Sequence, residues 1–200
     1  MTRSRACASL LAGAVFLAPG DVAAQVAWDS PMLVPPQYAP GFGIFLLGPA
    51  GGDLGVLATF RSPGWNFGVR GGIAEESGQD DVAVLAGLDY EGVLTRSTRE
   101  FPLDVDWVVG AGFSAGDDFL LSFPLGLTAG HSFTAEEGVV FTPYATPRVV
   151  LDALFGDNDD RVDLDFAFDL GLDLRFTPDL TVRFGATLGD REAVAIGLVF

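Results

Sequence analysis

At 200 residues, with 27 acidic and 11 basic side chains, the chain has a formal charge of -16, yet 49% of it is hydrophobic and its mean hydropathy is +0.37. Nucleic acid is excluded as a natural partner, because phosphate backbones are bound by an excess of basic side chains. The length suits one domain, within which acidic and apolar residues must be segregated.

Arg3 and Arg5 precede an apolar stretch from Leu10 to Ala18, and the small-residue site Val22-Ala23-Ala24 stands before Gln25. That order predicts a secretory signal peptide over 1-24, cleaved after Ala24. The stretch is shorter than the ~18 residues a spanning helix needs, and Pro19-Gly20 ends it. Cys7 would leave with the signal, so the mature chain is expected to lack thiols, and with them disulfides, thiolate metal sites and cysteine nucleophiles. Losing Arg3, Arg5 and Asp21 as well moves the charge to about -17. No later segment resembles a transmembrane helix, so any membrane crossing falls to strands.

Residues 25-40 contain Pro31, Pro35, Pro36 and Pro40 and read as an extended Pro-rich tail. From Gly41 onward, runs of apolar alternation separated by Gly, Pro, Asp and Ser clusters predict strands near 41-48, 53-61, 65-75, 81-94, 103-114, 119-131, 138-151, 162-176, 179-188 and 192-200. Side chains of a strand point to opposite faces with a period of two. Over 162-176 the even positions, from Val162 to Phe176, are all apolar, while the odd ones include Asp163, Asp165, Asp169, Asp173 and Arg175. The runs from Leu103 and from Phe119 follow the same rule, with Asp104, Asp106, Ser122, Gly126 and Thr128 on the polar side. A soluble periplasmic β-sandwich or lipocalin-like binding protein would also alternate. However, sandwich strands are usually nearer five or six residues, and their outer faces are not built from Gly, Ala and Asp. Long strands with small polar faces predict an all-β, closed, antiparallel up-and-down transmembrane barrel over 41-200. The count is about ten strands, or eight if the hairpin over 41-61 is a plug or tail.

The last residues, Val194-Ala195-Ile196-Gly197-Leu198-Val199-Phe200, alternate and end on an aromatic. This resembles the C-terminal insertion signal of bacterial outer-membrane β-barrel proteins. The resemblance implies an outer-membrane location and recognition by the barrel-assembly machinery through Val194, Ile196, Leu198 and Phe200. It also implies periplasmic termini and therefore an even strand number.

With that direction fixed, Asp53, Glu75, Glu76, Asp80, Asp81, Asp117, Asp118, Asp157, Asp159, Asp160, Asp190 and Glu192 fall on an extracellular rim, relieved only by Arg161 and Arg191. Such a rim would attract divalent cations shared with the surrounding outer-membrane lipid, though no metal site is expected. Gly156-Asp157-Asn158-Asp159-Asp160 lacks the spacing of a helix-loop-helix calcium loop. Parity places Asp89, Glu91, Asp104, Asp106, Asp163, Asp165, Asp169 and Asp173 in the lumen with Arg61, Arg70, Arg148, Arg175 and Arg183. Turn lengths pair Asp173 with Arg183 and Arg148 with Asp165, and leave Glu91 facing Asp106 without an Arg. His131 falls at the periplasmic edge beside Ser132, with no carboxylate to orient it, so neither catalysis nor a cofactor is expected. Trp65, Phe67, Tyr90, Phe101, Trp107 and Phe176 suit interfacial girdles. Tyr144 faces inward as lumen filling.

The functional expectation is a barrel with a largely side-chain-filled lumen and a structural, envelope-integrity role. The alternative is a narrow cation-preferring channel, which the many inward Gly and Ala residues keep open.

Overall fold

The computed structural model describes residues 26–37, 40–49, 52, 54–76, 82–135, 138–156 and 160–200. The expected signal peptide and the rim positions Asp53, Asp80, Asp81, Asp157 and Asp159 lie outside the described residues. The strands are β1 (Gly41–Pro49), β2 (Gly55–Arg61), β3 (Phe67–Glu75), β4 (Val82–Thr95), β5 (Asp104–Ala115), β6 (Phe119–Gly130), β7 (Phe133–Thr134), β8 (Val140–Phe155), β9 (Arg161–Thr177), β10 (Leu180–Gly189) and β11 (Ala193–Val199). Ten of them form an antiparallel up-and-down wall, with β6 paired to β8 and β1 to β11, from Gly43 opposite Val199 to Pro49 opposite Ala193. β7 is a two-residue ladder on the start of β8. The fold is therefore the closed ten-stranded barrel that the alternation predicted. The β1–β2 hairpin is part of the wall, which excludes the eight-stranded count.

The alternation orients this wall inside out relative to a soluble protein. On β9, Val162, Leu164, Phe166, Phe168 and Leu170 are exposed, whereas Asp169 and Asp173 are buried. On β5 and β6, Val109, Phe123, Leu125 and Leu127 face out while Asp104, Asp106, Ser122 and Thr128 face in. Aromatic side chains collect at the two ends of the outer surface. At the end near Phe200, Phe42 meets Phe200 edge-on at 5.6 Å, Trp65 stacks on Phe67 at 4.4 Å, Tyr90 leans on Trp107 at 5.3 Å and Phe133 stacks on Phe141 at 5.5 Å. At the opposite end Phe119 contacts Phe113 at 5.6 Å and Phe155 at 6.3 Å. Exposed aliphatic residues such as Ile44, Val69, Leu88, Leu125, Leu151 and Ile196 fill the belt between.

Two expectations need correction. β8 continues to Phe155, so Asp152 belongs to a strand and is buried, not to an external loop. More consequentially, residues 26–36 are buried within the barrel and do not trail ahead of it. Val26, Trp28, Met32, Leu33 and Val34 join Phe45, Leu47, Leu57, Leu85 and Val108 in one apolar cluster. The physical reason is twofold. The segment has apolar side chains to hide from water, and Pro31, Pro35 and Pro36 bring no backbone N–H that the lumen must satisfy. It also explains the apolar inward side chains of β1 and the start of β2: Phe45, Leu47 and Leu57 look inward at this cluster.

Candidate functional site

The candidate site is the lumen, where wall and inner segment meet in a descending series of ion pairs. Nearest the end opposite Phe200, Arg191, from the β10–β11 connection, turns inward. It binds the carboxylates of Asp152 and, at 2.6 Å, Asp29, and lies 3.4 Å from Asp165. The expectation of a rim-exposed Arg191 is thus overturned, because Asp29 and Asp152 draw it down. Arg148 follows. It donates to Asp169 at 2.7 Å, to the Asp29 carboxylate, to the Asp29 carbonyl at 3.3 Å and to Ser30 Oγ at 3.2 Å. Asp169 also accepts from Thr187 Oγ1 at 2.6 Å and from the Met32 amide at 3.4 Å.

Across the lumen, Arg70 donates to the carbonyls of Pro31 (3.3 Å) and Met32 (2.5 Å), lies 3.4 Å from Asp89, and stands over the Trp28 ring at 5.4 Å. Asp89 is also paired with Arg61, which is 3.3 Å from Glu91. Lower still, Arg183 grips both oxygens of Asp173 at 2.7 Å and donates to the Leu33 carbonyl at 3.0 Å. At the Phe200 end, Asp106 accepts from the Gln37 amide at 3.3 Å and pairs with Arg96, while Asp104 accepts from the Ser97 amide at 3.0 Å. Arginine suits this work: its planar fork spans a carboxylate and still has donors for a carbonyl.

The lumen network expected from parity thus divides. Arg70, Asp89, Asp104, Asp106, Arg148, Asp169, Asp173 and Arg183 are buried, Glu91 and Asp165 are half-buried, and Asp163 and Arg175 are exposed. Asp163 pairs with Arg161 at 2.8 Å, outside the lumen. Asp173 stands opposite Arg183, as the short turn implies. Arg148, however, faces Ala167, and Val150 faces Asp165, so Arg148 takes Asp169 instead. Glu91 and Asp106 do not share a site without an Arg, since Arg61 serves one and Arg96 the other. Val194, Ile196, Leu198 and Phe200 form an exposed outward row.

Sequence reasoning missed Asp29, Asp152, Arg96 and the inward turn of Arg191. It also misread the glycines. A Cβ on Gly110 would lie 2.9 Å from Trp28 Cη2, one on Gly112 2.6 Å from Trp28 Cδ2, and one on Gly87 would overlap the same ring. Leu33 fits against Gly185 in the same way at 2.5 Å, and Tyr144 covers Gly171. These glycines do not hold a passage open; they form the mould into which Trp28, Leu33 and Tyr144 fit. The cavity beside Pro35, Pro36 and Asp173 measures about 40 Å3, water-sized space only.

His131 is exposed at the Phe200 end, and the neighbouring Ser132 Oγ bonds Thr142 Oγ1 at 2.7 Å. Among the described residues, no group of three or more His, Cys, Asp or Glu side chains is disposed to hold a metal ion. Fold and lumen together define a closed ten-stranded β-barrel with its own chain packed inside. Comparison with protein-family models, with curated proteins and with solved structures finds no match to this chain.

Proposed function

We propose that this chain is an integral outer-membrane β-barrel, exported by a signal peptide cleaved after Ala24 and inserted by the barrel-assembly machinery, whose filled lumen suits a structural, envelope-integrity role over transport. The observation that carries this reading is the inverted polarity of the wall, apolar outside and charged inside. In water, so much exposed aliphatic surface would drive aggregation, whereas lipid is the solvent it matches. The aromatic collars bracketing the belt agree with anchoring at two lipid–water interfaces. The packing of residues 26–36 argues against free solute passage.

Heat modifiability of the protein in outer-membrane fractions tests the reading. A band that migrates differently before and after boiling, enriched in that fraction, is the expected result, together with no conductance in planar bilayers. A freely soluble protein without the shift would overturn it. Leu125→Arg sharpens the test. Leu125 is 56% exposed on the outer belt, and a cation there should cost about 2–4 kcal/mol of folding stability near the middle of a bilayer but nothing if the wall faces water.

A further inference from the structure

Residues 26–37 cross the lumen in one direction. Val26 lies beyond the far end of β1, where a Cβ on Gly52 would sit 3.1 Å from Val26 Cγ2. Asp29 and Met32 are level with Asp169, sharing Arg148 or bonding it directly, and Leu33 is level with Asp173 through Arg183, four residues nearer the end of β9. Pro36 reaches Gly130 at the other mouth, where a Cβ would lie 2.9 Å from its ring. There Phe42, next to the start of β1, exchanges backbone hydrogen bonds with Phe200. The segment therefore runs antiparallel to β1, from the mouth bearing Glu76, Asp117, Asp118, Asp190 and Glu192 to the mouth bearing Phe200.

An even number of wall strands puts both ends of the wall on one side of the membrane. The lumenal segment adds one more crossing and reverses the amino end. We propose that the amino-terminal segment is threaded through the lumen so that the chain ahead of Val26 emerges at the acidic mouth, presenting the mature amino terminus on the cell surface while Phe200 stays periplasmic. This rests on the outer-membrane reading given above. The acidic mouth favours the arrangement, since a free α-amino group is cationic at neutral pH. So does the anchoring: four carbonyls of the segment, those of Asp29, Pro31, Met32 and Leu33, accept from guanidiniums of opposite walls, which fixes it at successive depths.

Three single-cysteine versions of the full chain, each with Cys7→Ser, decide it. One carries the cysteine in a short Gly-Ser insertion between Gln25 and Val26, one is Asp117→Cys and one is Asp179→Cys in the β9–β10 turn. Each is first shown to give the heat-dependent shift, then treated with a membrane-impermeant maleimide on intact and on permeabilised cells. Threading is supported if the insertion and Asp117→Cys react on intact cells and Asp179→Cys reacts only after permeabilisation. If Asp117→Cys reacts on intact cells but the insertion does not, threading is overturned while the barrel reading stands. If Asp117→Cys and Asp179→Cys behave alike, the membrane reading fails and threading with it.

Discussion

The two flanks of the lumenal segment are held by different chemistry. Toward β4 and β5, the Trp28 ring fills a recess whose floor is Gly87, Gly110 and Gly112. Toward β8, β9 and β10, Asp29 and a series of main-chain carbonyls meet Arg148, Arg183 and Arg191. Around Trp28 the seat depends chiefly on volume, with Arg70 of β3 over the ring; toward β8–β10 it depends chiefly on a balance of buried charge, with Leu33 packed on Gly185 beside it. Packing degrades gradually as atoms are removed, whereas a buried ion pair that loses one member leaves the other unpaired in a dry site. The polar flank should therefore be the brittle one, and the segment's seat should fail there first.

Asp29→Ala tests this most severely, because it takes a buried carboxylate from two guanidiniums at once, leaving Arg148 only Asp169 and Arg191 only Asp152 and Asp165 as acidic partners among the described residues. A loss of about 3–5 kcal/mol in seating is expected from two charge-assisted hydrogen bonds removed together, roughly a hundredfold or more in the fraction of open barrels, read as a rise in ion conductance over the unaltered barrel. If Asp29→Ala barrels stay as closed as the parent, the contrast between the flanks is wrong. Trp28→Ala probes the other flank. It should cost a similar or smaller amount, about 3–5 kcal/mol if the recess cannot collapse, measured as the urea midpoint in lipid vesicles. Gly87→Val attacks the same recess from the wall side and should cost about 1–3 kcal/mol, but much less in the Trp28→Ala background, where the double variant should fall short of additivity. At the small end is Asp163→Asn, which removes the exposed pair with Arg161. Folding stability should change by less than about 1 kcal/mol, because water already screens both charges.

The wall was readable because its information is periodic. Val162 to Phe176 announce a strand, its faces and its length with no reference to the rest of the chain, and the Thr177-Pro178 turn is short enough to bring Asp173 opposite Arg183. Where two strands are joined by a longer connection, as β8 and β9 are, nothing local sets the register, and Arg148 was expected two residues from where Ala167 holds it. The lumenal segment has no period at all. Its prolines suggested a tail, and Asp29 gives no sign in sequence of partners as remote as Arg148 and Arg191. A clue was present in the inward glycines of β4 and β5, which left more room than the inward side chains could fill and called for a large ring. Trp28 is that ring.

Only residues 38–40 separate Gln37, at the foot of the lumen, from Gly41, where the wall begins. A leash of three residues spans at most about 10 Å. The segment is therefore held near its seat as if at a very high local concentration, millimolar or above by the reckoning that applies to short tethers. A free peptide of the same sequence would compete poorly for the lumen, and a seat weakened tenfold would still be almost always filled. Closure is thus buffered against mild damage, and only a defect as large as the loss of Asp29 should leave the barrel open for an appreciable part of the time.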